Sequence, residues 1–144
     1  MRAQARFCFV LLAVATLSLT SLAADKNVTP AVNAAEQWLS HLDDGQFGIC
    51  WEQAASDFKD KVTKAQWEET MKTIRAPVGK MESRHLISAE YKEDLPSAPP
   101  GKYVILQFQT KFANAPKMIE TVVPMLDKRD SMWKVSGYFM KAEQ

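Results

Sequence analysis

The chain is poor in the residues that most often carry chemistry. Its 144 residues include only two Cys and two His. Cys8 lies in an N-terminal apolar run, which leaves Cys50 as the one thiol in the remainder, without a disulfide partner. The fold is therefore not expected to rest on cross-links. His41, Cys50 and His85 lack metal-ligand spacing, so no metal site is expected. There is no G-x-G-x-x-G, Walker or G-x-S-x-G motif, so no cofactor is expected. Neither sign of charge dominates, with 18 basic residues against 17 acidic. A nucleic-acid partner, which calls for a basic patch, is not expected. Beyond the N-terminal run, no apolar stretch is long enough to span a membrane.

What is present begins with "MRAQARFCFVLLAVATLSLTSLA". Arg2 and Arg6 precede an apolar run from Phe7 to Leu19, and small residues follow. Ser21 and Ala23 occupy the −3 and −1 positions of a signal-peptidase site. Residues 1–23 are thus predicted to be a cleaved signal peptide, and residues 24–144 a single exported domain, periplasmic or secreted. Cleavage removes two basic residues and no acidic one, which moves the net charge from +1 to −1.

The hydrophobic period then divides the domain. Thr29-Pro30 reads as a helix start, with apolar residues through Trp38, Leu39 and Leu42 at helical spacing, and Asp43-Asp44-Gly45 as its stop. Phe47, Cys50, Trp51, Ala54, Ala55 and Phe58 form one apolar stripe, which predicts a second helix. Thr63 and Gln66 fit a capping box, with Val62 and Trp67 as a hydrophobic staple, opening a third helix that ends at Pro77 and Gly79.

After Gly79 the period falls to two. Strands are predicted over 81–92, 102–112, 118–126 and 132–141. In the first, Met81, Ser83, His85, Ile87, Ala89 and Tyr91 share a side. In the second, Val104, Leu106, Phe108, Thr110 and Phe112 do. Pro124 implies an edge or a bulge. Three N-terminal helices packed on a curved four-stranded antiparallel sheet make an α+β domain. The arrangement is that of the cone-shaped, nuclear-transport-factor-2-like class.

"WEETMKTIRAPVGKMESR", "ETVVPMLD" and "WKVSGYFMK", with "AAEQWLSHLDDGQFGICWEQAASDFKDKV" before them, resemble the bacterial domain of unknown function 4019 family. The match is most specific at Arg75, Pro77 and Gly79, at Glu120-Thr121, and from Trp133 to Phe139. The resemblance implies an exported protein with a nuclear-transport-factor-2-like (cystatin-like) fold and no assigned activity. Position 50 is more often Ser in that family, so the resemblance implies no thiol chemistry.

Three residues are catalytic candidates: Glu120, His85 and Cys50. A Cys50–His85 pair would be a nucleophile and its base, but a reactive thiolate needs a polar setting and Cys50 sits among Phe47, Trp51 and Ala54. Glu120 or His85 in an apolar cavity would suit acid–base chemistry of the isomerase or dehydratase kind. Glu120 with Arg84 also reads as a plain cross-strand ion pair. Trp38, Trp51, Phe58, Trp67, Arg75, Glu120 and Tyr138 are the candidate ligand-binding residues. The leading expectation is a non-enzymatic module binding a small apolar ligand or a protein partner. A small cavity enzyme is the alternative, and the apolar strand faces suggest a homodimer.

Overall fold

The computed structural model describes residues 21–144, with side chains from residue 26 onward. All but the last three residues of the predicted signal peptide, Cys8 included, lie outside the described residues. The element order is α1 (Ser21–Asp43), α2 (Phe47–Gln53), α3 (Ser56–Lys61), α4 (Lys64–Arg75), β1 (Met81–Glu93), β2 (Lys102–Phe112), β3 (Ala115–Leu126) and β4 (Trp133–Ala142). The strands form one antiparallel sheet in sequence order. The fold is α+β. Among the described residues no helix is long and apolar enough to cross a membrane.

Two helix expectations change. Pro30 lies inside α1 rather than at its start. Its ring removes a single N–H, and Val28 upstream packs on the core, which favours continuing the helix through the proline. The stripe from Phe47 to Phe58 is not one helix but two, because Ala54 and Ala55 are extended, with ψ of 161° and 147°. The break lets the Ala55 N–H donate to the Val135 carbonyl of β4 at 2.8 Å. The Ser56 N–H and hydroxyl then donate to the Asp127 carboxylate at 2.8 and 2.5 Å. The stripe still points inward: Cys50, Ala54 and Ala55 are buried, and Phe47, Trp51 and Phe58 pack against the core.

The α4 start is as predicted. Thr63 Oγ1 accepts from the Gln66 N–H at 3.2 Å, and Gln66 Oε1 accepts from the Thr63 N–H at 3.0 Å. This reciprocal pairing satisfies two amides the helix leaves open. Gly79, at φ +77°, makes the turn into β1, a conformation that costs other residues dearly.

Bulges reset the strand faces. β1 carries one extra residue between Met81 and Ser83 and another between Leu86 and Ser88. A one-residue insertion moves later side chains to the opposite face. The predicted uniform face of β1 is therefore split. Arg84, opposite buried Thr110, points to the core, and His85, opposite exposed Gln109, points away. β3 begins at Ala115, three residues earlier than predicted, because Phe112 pairs directly with Ala115 across Ala113-Asn114. Pro124 takes the bulge option: β3 is an inner strand, and the register shifts between Val123 and Pro124. That shift leaves Ser136 extra in β4, so Val135 and Tyr138 both face inward.

The core lies between α1 and the inner sheet face. Ala31, Ala35, Trp38, Leu39 and Leu42 of α1 meet Val104, Leu106 and Phe108 of β2 and Val122 of β3. Small alanines let the helix approach the sheet, and Trp38 supplies the largest side chain on this face of α1.

Candidate functional site

Trp38 anchors an aromatic cluster. Its ring lies 5.7 Å from both Trp67 and Tyr138, and Phe58 meets Trp67 edge-on at 5.4 Å. The tilted and edge-on geometries suit the ring quadrupoles. Each indole N–H of three tryptophans ties one element to another. Trp38 donates to the Cys50 carbonyl, Trp51 to Val62 and Trp67 to Phe47, at 2.9, 2.7 and 2.9 Å. Trp38, Phe58, Trp67, Val135 and Tyr138 enclose a space too small for a water molecule.

Beside the aromatic cluster lies a buried ionic one. Glu120 of β3 is wholly buried. Its Oε1 accepts from Arg84 Nε at 2.8 Å and from Thr110 Oγ1 at 2.5 Å. Its Oε2 accepts from Arg84 Nη2 at 3.3 Å and from the Tyr138 hydroxyl. Arg84 reaches on to Asp43, the last residue of α1, with Nη1 at 2.7 Å from Oδ2 and Nη2 at 2.9 Å from Oδ1. Arg75, in the last turn of α4, donates to Asp43 Oδ1 at 2.8 Å and lies 3.7 Å from Glu120 Oε2. The Arg75 guanidinium also stands 4.9 Å from the centre of the Phe112 ring, a cation–π approach. Two cations thus face two anions, with a side chain supplied by each of the four strands.

The electrostatics follow from this pairing. Burial alone would raise the Asp43 pKa, but hydrogen bonds from Arg84 and Arg75 outweigh it and hold the carboxyl below its ordinary value. Burial, then the Glu120 charge and hydrogen bond, raise the Tyr138 phenol above its usual range, so it remains a donor. Burial opposes the charge on Arg84, yet Asp43 and Glu120 more than restore it. No fully buried side-chain nitrogen or oxygen lacks a partner among the described residues. This completeness matters, because an unpartnered buried charge is far costlier than a paired one.

Arg75, Glu120 and Tyr138 therefore meet, as do Trp38, Phe58, Trp67 and Tyr138, while Trp51 packs on the core from the Val62 side. Glu120 and Arg84 form the cross-strand ion pair expected from sequence, but the pair reaches across β2 and is buried at its Glu120 end. Cys50 and His85 do not meet. Cys50 is buried, with its Sγ 3.6 Å from the Trp38 carbonyl, and burial pushes its thiol up to about 12. His85 is exposed on the outer sheet face. Asp43 and Thr110 complete the cluster and were not singled out from sequence. Asp43 read as a helix stop and Thr110 as one more inward strand position; Thr110 was a polar residue in an otherwise apolar row, and that was its signal.

A family model described as "Protein of unknown function (DUF4019)" matches residues 34–138. The chain belongs to the DUF4019 family. The matched span takes in Asp43, Arg75, Arg84, Thr110, Glu120 and Tyr138, the whole ionic cluster of this DUF4019 protein. A comparison with curated proteins finds no match.

Proposed function

We propose that this DUF4019 protein is an exported, non-enzymatic binding module of the cone-shaped, nuclear-transport-factor-2-like kind. It docks a second copy of itself through the outer face of its sheet. Phe139 carries the reading: it is 64% exposed, within a paired strand rather than in a loop. Across the sheet from it run Thr121, Gln107 and Ser88, with Lys141, Ile119, Gln109 and His85 in the next row. An exposed aromatic on a mostly uncharged sheet face is the composition of an interface centre.

Charge favours a copy of the chain over an oppositely charged partner. The salt bridges Lys111–Glu82 and Lys92–Glu90 balance the neighbouring charges, and Glu143, which accepts from Gln109 of the face at 2.9 Å, offsets the single positive charge of Lys141. A face without excess charge meets its own copy without repulsion, as a two-fold contact requires. The packed core supports binding at a surface rather than within the cone. The acid–base alternative would need a free Glu120 or His85 inside a cavity. Glu120 spends both oxygens on Arg84, Thr110 and Tyr138, and His85 stands outside.

Light scattering of the purified protein across a concentration series tests this reading. A dimer is expected, and Phe139→Glu should be monomeric. A wild-type chain that stays monomeric at high concentration overturns it. Export is tested separately, by fractionating cells that express the full chain and measuring the mature mass for cleavage after Ala23.

A further inference from the structure

An open hollow of about 470 Å³ lies where α1 and α4 both end, lined by Asp43, Phe47, Lys72, Arg75, Ala76, Gly79 and Lys80. We propose that it binds a small organic carboxylate, its charged end at Arg75, Lys72 and Lys80 and its apolar end against Phe47 and Ala76.

The first observation is Arg75 itself. It is the least satisfied member of the ionic cluster. A guanidinium has five N–H donors. Those of Arg75 find Asp43 at 2.8 Å and, at the 3.5 Å limit, the Tyr138 hydroxyl. Arg84, by contrast, makes four contacts with two carboxylates. Arg75 is nonetheless 8% exposed. Its Nε has no protein partner, and since no fully buried side-chain nitrogen lacks one among the described residues, that N–H is not sealed in the core; Arg75 forms part of the wall here. A charged N–H left without a protein partner suits a carboxylate oxygen.

The second observation is charge. Asp43 is neutralised from within by Arg84 and Arg75. Lys72 and Lys80 are exposed, and among the described residues neither forms a salt bridge. Part of this positive charge offsets the carbonyl ends of the helices, which accounts for Lys72 and Arg75 on α4. It does not account for Lys80, which the left-handed Gly79 turn sets beside the hollow. The third observation is the lining: Phe47, Ala76 and Gly79 make one side apolar, which a fully hydrated inorganic anion would not use.

Amide shifts of the ¹⁵N-labelled protein, titrated with sodium hexanoate, hexanol and inorganic phosphate in turn, test the site. Hexanoate should saturate shifts at Phe47, Ala76, Gly79 and Lys80, binding at least about tenfold tighter than either other probe. The double variant Lys72→Gln/Lys80→Gln alters only exposed side chains, and should weaken hexanoate by about tenfold with an unchanged melting temperature. Hexanol binding as well as hexanoate would reduce the site to an apolar patch, and phosphate binding as well would reduce it to a patch of charge. Absence of saturating shifts, or affinity unmoved in the double variant, would overturn the proposal outright.

Discussion

Glu120 and Asp127 are both buried carboxylates, seven positions apart in sequence, and they solve the same problem differently. Glu120 is answered by cations. Arg84 and Arg75 approach it, Asp43 balances the second positive charge, and Thr110 and Tyr138 add neutral donors. Asp127 is answered almost entirely by neutral donors: the Ser56 N–H and hydroxyl and the Arg129 N–H, with Lys134 at 3.8 Å. The first arrangement binds four strands and two helix ends into one electrostatic unit. The second ties α3 to the β3–β4 turn, through contacts that leave no other buried charge dependent on it.

The difference fixes what removal should do. Glu120→Gln leaves two buried guanidinium groups facing Asp43 alone. Breaking a buried pair in this way costs about 3–5 kcal/mol, read as a large fall in the denaturation midpoint. Removing the pair together should be milder. Glu120→Leu with Arg84→Met leaves Arg75 against Asp43 and restores charge balance, so the double variant should be more stable than Glu120→Gln alone. If Glu120→Gln costs under about 1 kcal/mol, the cluster is not the electrostatic unit described.

The sequence made the parts of this cluster visible and hid their assembly. Arg84 and Glu120 could be paired on paper, but two features of the chain were silent. The bulges that turn Arg84 inward and His85 outward have no Gly or Pro to mark them in β1. A period-two reading therefore carried the wrong face through Ile87. Likewise, the break at Ala54-Ala55 follows from a distant carbonyl, Val135, and a distant acid, Asp127, not from local propensity. By contrast, the α4 capping box and the inward row of β2 were legible, because each is set within a few residues. Helix starts and strand faces with local causes could be read; those imposed by tertiary partners could not.

Asp127 gives the next effect in size, and one with a pH signature. Burial would raise its pKa, but hydrogen bonds from Ser56 and from the Arg129 and Ser56 amides, with the Lys134 charge, hold it at about 2. A carboxylate depressed in the folded state stabilises above its unfolded pKa, and that contribution fades as pH falls toward the folded value. The window therefore runs from the ordinary 3.8 down to about 2. Asp127→Asn should cost about 2 kcal/mol at neutral pH. The gap to wild type, measured by urea unfolding, should narrow across that window. A gap that does not change with pH would mean that the charge of Asp127 is irrelevant, and would erase the contrast with Glu120.

The smallest effect belongs to a third tie at the same place. Arg129 Nη2 reaches Asp60 of α3 at 3.1 Å, so this pair joins the same helix to the same turn as Asp127 does. Both side chains are about two-thirds exposed, and water and salt screen such pairs while ordering two long side chains costs entropy. Arg129→Ala should change stability by less than about 0.5 kcal/mol. The substitution keeps the Arg129 N–H that donates to Asp127 at 2.9 Å, so it removes the exposed contact and spares the buried one. A loss comparable to that of Asp127→Asn would place the strength of the α3 connection in the surface pair. A loss near zero isolates it in the buried carboxylate, two residues away in the same turn.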